Sequence, residues 1–419
     1  MVKNTDRYFA AVAYLDGLPR RPGHRSGAFP NPALRLRRMQ RFLDLLGNPE
    51  RGLKYIHVTG TAGKGTVTTM LHEALSASGE RVGSYTSPFT TTSIEKIRVG
   101  ELFIDPDEFA DIVESMRSTI DEVRPTYFEV FFALALIYFR QKGCIWAVVE
   151  VGIGGRFDFT NVIPSPIATV ITNVDYDHTE LLGKTLKKIA YDKAGIIKSG
   201  SLFFTAEQRP SLQKMFIDVC AEQGATFHAV PREKSADAYN RSLVRLIGAT
   251  LDFPSVAIGQ GIDRAQLPCR FETMQRSPMV ILDGAHNRIK MRSVAERIAK
   301  ESYRKLHVIV GMTGKQDHEA VLKQIMPLAD SVTFTSLPSD RSLCADPEVL
   351  QKKAKPYFRS SSLVRIIADS AEALSTVLQS VDDEDCVLVT GSFFLVGELR
   401  KRWVTEEEIL HNRRMKRLV

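Results

Sequence analysis

Lys54-Tyr55-Ile56-His57-Val58-Thr59 runs directly into Gly60-Thr61-Ala62-Gly63-Lys64-Gly65-Thr66, and apolar residues then return at helical spacing as Val67, Met70, Leu71, Ala74 and Leu75. A β-prone run, a glycine-rich turn and a helix in that order form a phosphate-binding turn. Small residues let backbone N–H groups close on phosphate oxygens at the positive end of a helix, and a lysine reaches the outer phosphates. The turn departs from the common G-x-x-x-x-G-K-[ST] spacing, because Gly65 separates Lys64 from Thr66. Alone it indicates a nucleotide phosphate and no particular reaction.

Outward from this turn, β-like runs recur at Ala147-Val148-Val149-Glu150-Val151, at 167–172 and at Leu202-Phe203-Phe204-Thr205, separated by helical patterns such as 107–119 and 131–141. Alternating strands and helices imply right-handed crossovers and a mostly parallel sheet with helices on its faces. The pattern loosens over 259–278 and then restarts with five short apolar runs at 279–282, 306–310, 331–335, 363–367 and 386–390. The chain therefore reads as two α/β lobes with a cleft between them. The boundary falls near 265–275, dividing the chain into 1–268 and a smaller 269–419.

The remaining totals fit that picture. The chain has 419 residues, 44% of them hydrophobic and 25% charged, which suits a globular protein of two or three domains. Its formal net charge of +7 favours anionic partners without choosing among them. The longest apolar run, 130–139, is bounded by Glu129 and Arg140 and is far short of the roughly 20 residues a bilayer requires. Met1-Val2-Lys3-Asn4-Thr5-Asp6-Arg7 lacks the apolar stretch of a signal peptide. Cys144, Cys220, Cys269, Cys344 and Cys386 are widely spaced and odd in number, which argues against a disulfide framework or zinc site and for a reducing cytoplasm.

Five further motifs place polar groups after strands, where open α/β sheets bind ligands. Thr86-Ser87-Pro88-Phe89 follows a short second strand. Glu150-Val151-Gly152-Ile153-Gly154-Gly155-Arg156-Phe157-Asp158 sets a carboxylate at a strand end, three glycines that permit close approach, and Arg156 for an anion. In Thr172-Asn173-Val174-Asp175-Tyr176-Asp177-His178-Thr179-Glu180, acids flank an imidazole that could bind a metal. Lys193, in Tyr191-Asp192-Lys193-Ala194-Gly195-Ile196-Ile197, has apolar neighbours that lower an amine's pKa and would let it take up CO₂ as a carbamate. A salt-bridged surface lysine is the plainer alternative. In the second lobe, Asp283-Gly284-Ala285-His286-Asn287 and Thr390-Gly391-Ser392 each place polar side chains at a strand end.

Taken in order over about residues 35–400, these motifs resemble the folylpolyglutamate synthase/dihydrofolate synthase family of the Mur ligase superfamily. The resemblance implies a phosphate-loop, NTPase-like central domain with a mostly parallel sheet and a smaller Rossmann-like α/β C-terminal domain. It implies a cytoplasmic, monomeric ATP-dependent amide ligase of folate and one-carbon metabolism. In that chemistry ATP phosphorylates a carboxylate and the amine of L-glutamate displaces phosphate from the acyl phosphate. By position, Thr61, Ala62, Gly63, Lys64, Gly65 and Thr66 would cradle the nucleotide, with Asn240, Arg270 and Asp283 as further contacts. Ser87, Glu150 and His178 would hold Mg²⁺, two ions in all, and Lys193 falls where the family carries a carbamylated lysine. The resemblance gives Lys64, His178 and Lys193 catalytic roles. Thr126, Arg156, Phe157 and Asp158 would meet the pterin-linked acid, and His286 and Ser392 the incoming glutamate.

Three departures stand out. Ala62 and Thr66 replace the Asn and Ser of the family's G-T-N-G-K-G-S, Phe89 replaces the His of T-S-P-H-L, and Cys269 replaces the Gly of P-G-R. Phe89 lies on the acceptor side, so a Mur-type ligase acting on a non-folate acid stays open beside the folate enzyme. A phosphate-loop NTPase switch would leave the second lobe, His178 and Lys193 without a role. Nucleic-acid binding would rest on Arg35-Leu36-Arg37-Arg38 and Arg413-Arg414-Met415-Lys416-Arg417, which read as solvated or terminal basic runs with no stacking or recognition-helix signature.

Overall fold

A computed structural model describes residues 5–19, 32–314, 316–337 and 344–414, so the first four residues and the basic run from Met415 lie outside the described residues. The chain divides into two compact units. One holds the residues up to Phe89 together with Ser93–Ala265, and the other holds Thr90–Thr92 together with the chain from Gln266. The path therefore leaves the first unit for three residues and returns.

The first unit is built on β1 (Lys54–Thr59), β2 (Val82–Tyr85), β3 (Ile97–Val99), β4 (Leu102–Phe103), β5 (Trp146–Glu150), β6 (Ala168–Ile171), β7 (Leu202–Thr205) and β8 (Thr226–Ala229). Their order is β4-β3-β2-β5-β1-β6-β7-β8, parallel except for the β3–β4 hairpin at one edge. β1 and β5 pair from Lys54↔Trp146 to Val58↔Glu150, and apart from Lys54 every residue in them is buried. That burial on both faces is why these strands read as continuous apolar runs rather than alternating ones. The helix Tyr127–Gln141 buries Phe131, Phe132, Leu134, Leu136 and Phe139, each worth about 1.5–3 kcal/mol in transfer terms. Phe139 needs Gly83 on β2 beneath it, since a Cβ there would collide with the ring. The helix after the phosphate turn, Lys64–Ala77, packs with helices Ala236–Thr250 and Ser255–Arg264 over Ile56, Val58, Val148 and Val170.

The second unit repeats the architecture with β9 (Glu272–Arg276), β10 (Met279–Asp283), β11 (Leu306–Val310), β12 (Ser331–Phe334), β13 (Leu363–Ile366) and β14 (Cys386–Thr390). The order is β13-β12-β11-β14-β10-β9, and only β9 runs antiparallel. β10 and β14 end side by side, with Asp283 paired to Thr390. All five cysteines are free thiols. Among the described residues, no helix is long and apolar enough to cross a membrane.

Candidate active site

In the first unit, the turn after β1 is held by the segment after β6. Asn173 accepts from the Thr61 amide through its carbonyl (3.0 Å) and from the Ala62 amide through its side-chain oxygen (3.0 Å). Its side-chain N–H₂ and the Thr172 hydroxyl both donate to Ala62 O, at 3.0 and 2.6 Å. Thr61 Oγ1 donates to Asp175 O (3.1 Å) and accepts from Asp175 N (2.9 Å). The Asn173 segment is itself fixed by buried Glu207, which accepts from Val174 N (3.0 Å) and pairs with Arg209, while Arg209 donates to Val174 O. Asn173, Asp175 and Glu207 thus shape the turn, although the sequence reading gave none of them a role. Asn173 stood within a quoted motif, but Glu207 carries no local signal.

Gly63 adopts φ +83 at the cap of helix Lys64–Ala77, and a Cβ there would lie 2.7 Å from Asn240 Oδ1. The expected nucleotide contact Asn240 therefore stands against the turn itself. Lys64 Nζ folds back on Gly60 O at 3.1 Å. The amides of the helix's first turn have no carbonyl one turn back to accept them, which leaves donors and the positive helix end facing the same way.

Two strands away, Ser87 and Glu150 meet. The Ser87 amide donates to Glu150 Oε2 at 3.1 Å, across the ends of neighbouring β2 and β5. Glu150 is 3% exposed, which suits a carboxylate meant to face a cation rather than water. A hard hydroxyl-and-carboxylate set of this kind fits Mg²⁺ when phosphate and water oxygens complete the shell. His178 is exposed, with φ +48 before the short helix Thr179–Leu182, and its ring nitrogens lie 3.9 Å from Asp177 and 4.0 Å from Glu180. Among the described residues, no cluster of three His, Cys, Asp or Glu side chains is arranged as a metal cage.

Lys193 is 3% exposed near the end of helix Leu186–Ala194. Burial first, and then the charge of Lys64, lower its amine from the ordinary 10.5 to about 7. A salt-bridged surface lysine is therefore not what the chain builds. Neighbouring Asp192 points elsewhere and accepts from the Gly155 amide at 2.9 Å. The glycines after Glu150 serve this helix, because a Cβ on Gly155 would lie 2.7 Å from Lys193 O. Arg156 stacks its guanidinium 4.3 Å over Tyr191. Phe157 is partly exposed. Asp158 is buried, and its oxygens accept from Ile153 N (3.0 Å), Thr160 N (3.1 Å) and Thr160 Oγ1 (2.6 Å). Burial raises its pKa against the pull of those bonds.

Thr126 is also committed to structure, donating from N (2.6 Å) and Oγ1 (2.8 Å) to Glu129. Glu129 takes a two-pronged contact from Arg38, at 2.8 and 3.1 Å, so part of the basic run 35–38 is spent internally rather than displayed. Beside it, Lys96 is 2% exposed, donates to Tyr127 OH (3.0 Å), and lies 3.8 Å over Phe131 and 5.1 Å over Phe89. This caged cation pins Phe89, and the sequence gave no sign of it.

In the second unit, four expected residues gather at the ends of β10 and β14. Asp283 accepts from Phe271 N and Ala285 N, both at 2.8 Å, and burial raises its pKa even with Arg270 near. The Arg270 guanidinium lies 4.2 Å over the Phe393 ring, and the His286 ring meets Phe393 edge-on at 5.8 Å. His286 Nδ1 is 2.9 Å from Gly284 O, and its Nε2 is 3.0 Å from Lys290 Nζ. Ser392 Oγ accepts from Phe394 N at 3.2 Å. The arrangement offers cations and a stacking face at a strand-end site.

Comparison with known proteins places this geometry. Residues 58–246 match the Mur ligase middle domain and residues 269–393 match the Mur ligase glutamate ligase domain. The chain is 27% identical over 415 residues to the Bacillus subtilis dihydrofolate synthase/folylpolyglutamate synthase, covering 88% of this chain and 94% of that one. Mycobacterium tuberculosis folylpolyglutamate synthase complexed with ADP superposes with a TM-score of 0.85 at 26% identity, over 95% of this chain and 98% of the other. The bifunctional folylpolyglutamate synthase/dihydrofolate synthase of Yersinia pestis, complexed with AMPPNP and a Mn ion, gives 0.80 at 27% identity over 94% and 97%. With both Mur ligase domains present in order and full-length relatives of one kind, the chain belongs to the folylpolyglutamate synthase/dihydrofolate synthase family of Mur ligases.

Proposed function

We propose that this protein uses ATP to join L-glutamate to a folate-type carboxylate through an acyl phosphate. The observation that carries the reading is the meeting, in one unit, of a phosphate turn with Lys64, the Ser87–Glu150 pair at adjoining strand ends, and a buried Lys193 whose amine is brought down to about 7. Because Asn173 occupies the Thr61 and Ala62 amides, the donors offered to phosphate run from Gly63 to Thr66, with Lys64 as the mobile cation. Asn240, Arg270 and Asp283 contact the nucleotide. A carboxylate oxygen of the acceptor attacks the γ-phosphorus and ADP departs. The glutamate amine then attacks the acyl carbon, loses a proton, and expels inorganic phosphate. Such transfer depends mostly on positioning and charge stabilisation, which cationic and amide donors supply.

Ser87, Glu150 and His178 are assigned to Mg²⁺, two ions in all. When bound, the metal neutralises charge on the transferring phosphoryl group. Carbamylation of Lys193 would add an anionic oxygen pair to the same region. Arg156 and Phe157 present a cation and an aromatic face to the acceptor. Thr126 and Asp158, whose polar atoms are already bonded, act by shaping its walls. His286 and Ser392 are assigned to glutamate. Residues 1–268 form the ATP-binding domain and 269–419 the glutamate ligase domain, of a monomer working on small molecules in the cytoplasm, with no nucleic-acid or membrane partner. The test is glutamate-dependent phosphate release from ATP, screened against dihydropteroate, tetrahydrofolate and methylene-tetrahydrofolate. Turnover with none of them, but with another acid, would favour the non-folate ligase that Phe89 leaves open.

A further inference from the structure

Arg400, which ends helix Phe393–Arg400, is 1% exposed. Its guanidinium donates to Glu272 through Nε (2.9 and 3.1 Å) and Nη2 (2.9 Å), and its Nη1 donates to Thr91 Oγ1 at 3.1 Å. Glu272 Oε2 also accepts from the Cys269 amide at 2.8 Å. One buried ion pair therefore grips two loops of the same unit. The first loop carries Arg270 between Cys269 and Phe271, two non-glycine residues at φ +56 and +52. Such backbone conformations cost of order 1–3 kcal/mol each and persist only where the surroundings dictate them. Here the Cys269–Glu272 bond and the Phe271–Asp283 bond do so. The second loop is Thr90–Thr92, the three-residue excursion that follows Ser87-Pro88-Phe89. Gly397 seats it independently of Arg400, because a Cβ at Gly397 would collide with Thr90 O.

A buried ion pair is an uneconomical way to stabilise a core, since well-packed apolar side chains of similar volume often do as well or better. Its distinctive property is direction: a planar guanidinium fixes several partners at once. Three peptide links separate Ser87 from Thr90, at most about 11 Å of extended chain. The seat of Thr90–Thr92 thus restricts where Ser87 can stand. We propose that Arg400 and Glu272 are positioning residues of the reaction, holding the nucleotide-side Arg270 loop and, through Thr91, the segment that directly follows the metal-side Ser87 loop. This rests on the ligase reading for its turnover assay only.

The experiment uses the full chain with Thr91→Val, Gly397→Ala and Arg400→Lys. Calorimetry reads binding of a non-hydrolysable ATP analogue against Mg²⁺ concentration, glutamate-dependent phosphate release reads kcat and half-saturation, and thermal melting reads stability. Thr91→Val, which removes the Oγ1 acceptor of Nη1, is expected to raise half-saturating Mg²⁺ about tenfold, or ~1.4 kcal/mol, in protein that still folds. Gly397→Ala should raise it likewise through displacement of the same segment. Arg400→Lys, which keeps the charge and loses the fork, should weaken both analogue and Mg²⁺ dependence. If Arg400→Lys fails to fold, the other two variants still decide the matter. Wild-type Mg²⁺ and analogue binding in both folded Thr91→Val and Gly397→Ala would overturn the proposal, as would a fall in melting temperature and kcat with both half-saturations unmoved. A wild-type protein lacking glutamate-dependent turnover would sink the ligase reading, while the calorimetric arm would still judge this one.

Discussion

Stripping dissolved CO₂ from the protein should reveal what Lys193 carries. Carbamylation needs a neutral amine, whose nitrogen attacks CO₂ and releases a proton. Burial and the nearby Lys64 charge bring the amine from 10.5 to about 7. At pH 8 roughly nine-tenths of it is then neutral, against roughly three in a thousand for an exposed lysine, a gain of about 300-fold. Between pH 8 and pH 6 the neutral share falls about tenfold. The linkage has a matching sign: from about pH 7 to 10.5 the folded amine holds fewer protons than the unfolded one. Its cost to stability is therefore greatest below that window and is relieved as pH rises through it. Protein depleted of CO₂ at low pH should lose turnover and regain it on adding bicarbonate, with an initial reactivation rate about tenfold faster at pH 8 than at pH 6 at matched dissolved CO₂. ¹³C-labelled CO₂ should give a carbamate carbon signal that Lys193→Ala abolishes, and short carboxylic acids should partly restore that variant. Turnover indifferent to CO₂, with no such signal in active protein, would refute the argument.

Lys64→Ala should fold normally and retain less than a tenth of wild-type ATP turnover, at least about 1.4 kcal/mol of barrier, as read by phosphate release. Glu150→Gln keeps the bond from Ser87 N but removes the anion, so half-saturating Mg²⁺ should rise at unchanged melting temperature; a superimposable Mg²⁺ titration would take Glu150 out of the metal site. Gly155→Ala puts a methyl group 2.7 Å from Lys193 O, and should lower stability by about 1–3 kcal/mol in a denaturant titration. Asn173→Ala releases the Ala62 amide and leaves its carbonyl only the Thr172 hydroxyl of the two side-chain donors, and should raise the Kd for ATP more than it lowers the melting temperature.

The central strands were readable because they are buried on both faces, so 54–59, 202–205, 306–310 and 386–390 stand out as uninterrupted β-prone runs. Of the edge elements, the 363–367 run was readable and others were not. The Leu102–Phe103 strand is two residues long, and Glu272–Arg276 is mostly polar because it is an antiparallel edge. At the site, residue types singled out Lys64, Glu150 and Lys193, but they could not say where a polar atom points. Thr126 and Asp158 read as substrate contacts and turn out to have their oxygens bonded within the chain. The glycines of 152–155 read as room for a ligand, and the room at Gly155 is taken by the backbone that carries Lys193. Lys96, enclosed by rings from residues 89 and 127–131, depends mostly on contacts over 30 positions away, which no local pattern records.

The excursion at Thr90–Thr92 also bears on how the molecule can be dissected. A cut at Ala265 keeps the packing of each compact unit in one fragment, yet a fragment ending there would keep Thr90–Thr92 and lose Arg400 and Gly397, which seat them. The complementary fragment would carry Arg400 and Gly397 without the segment they seat. Thr90–Thr92 would thus lie in one fragment and their seat in the other, and those three residues follow directly on the serine loop.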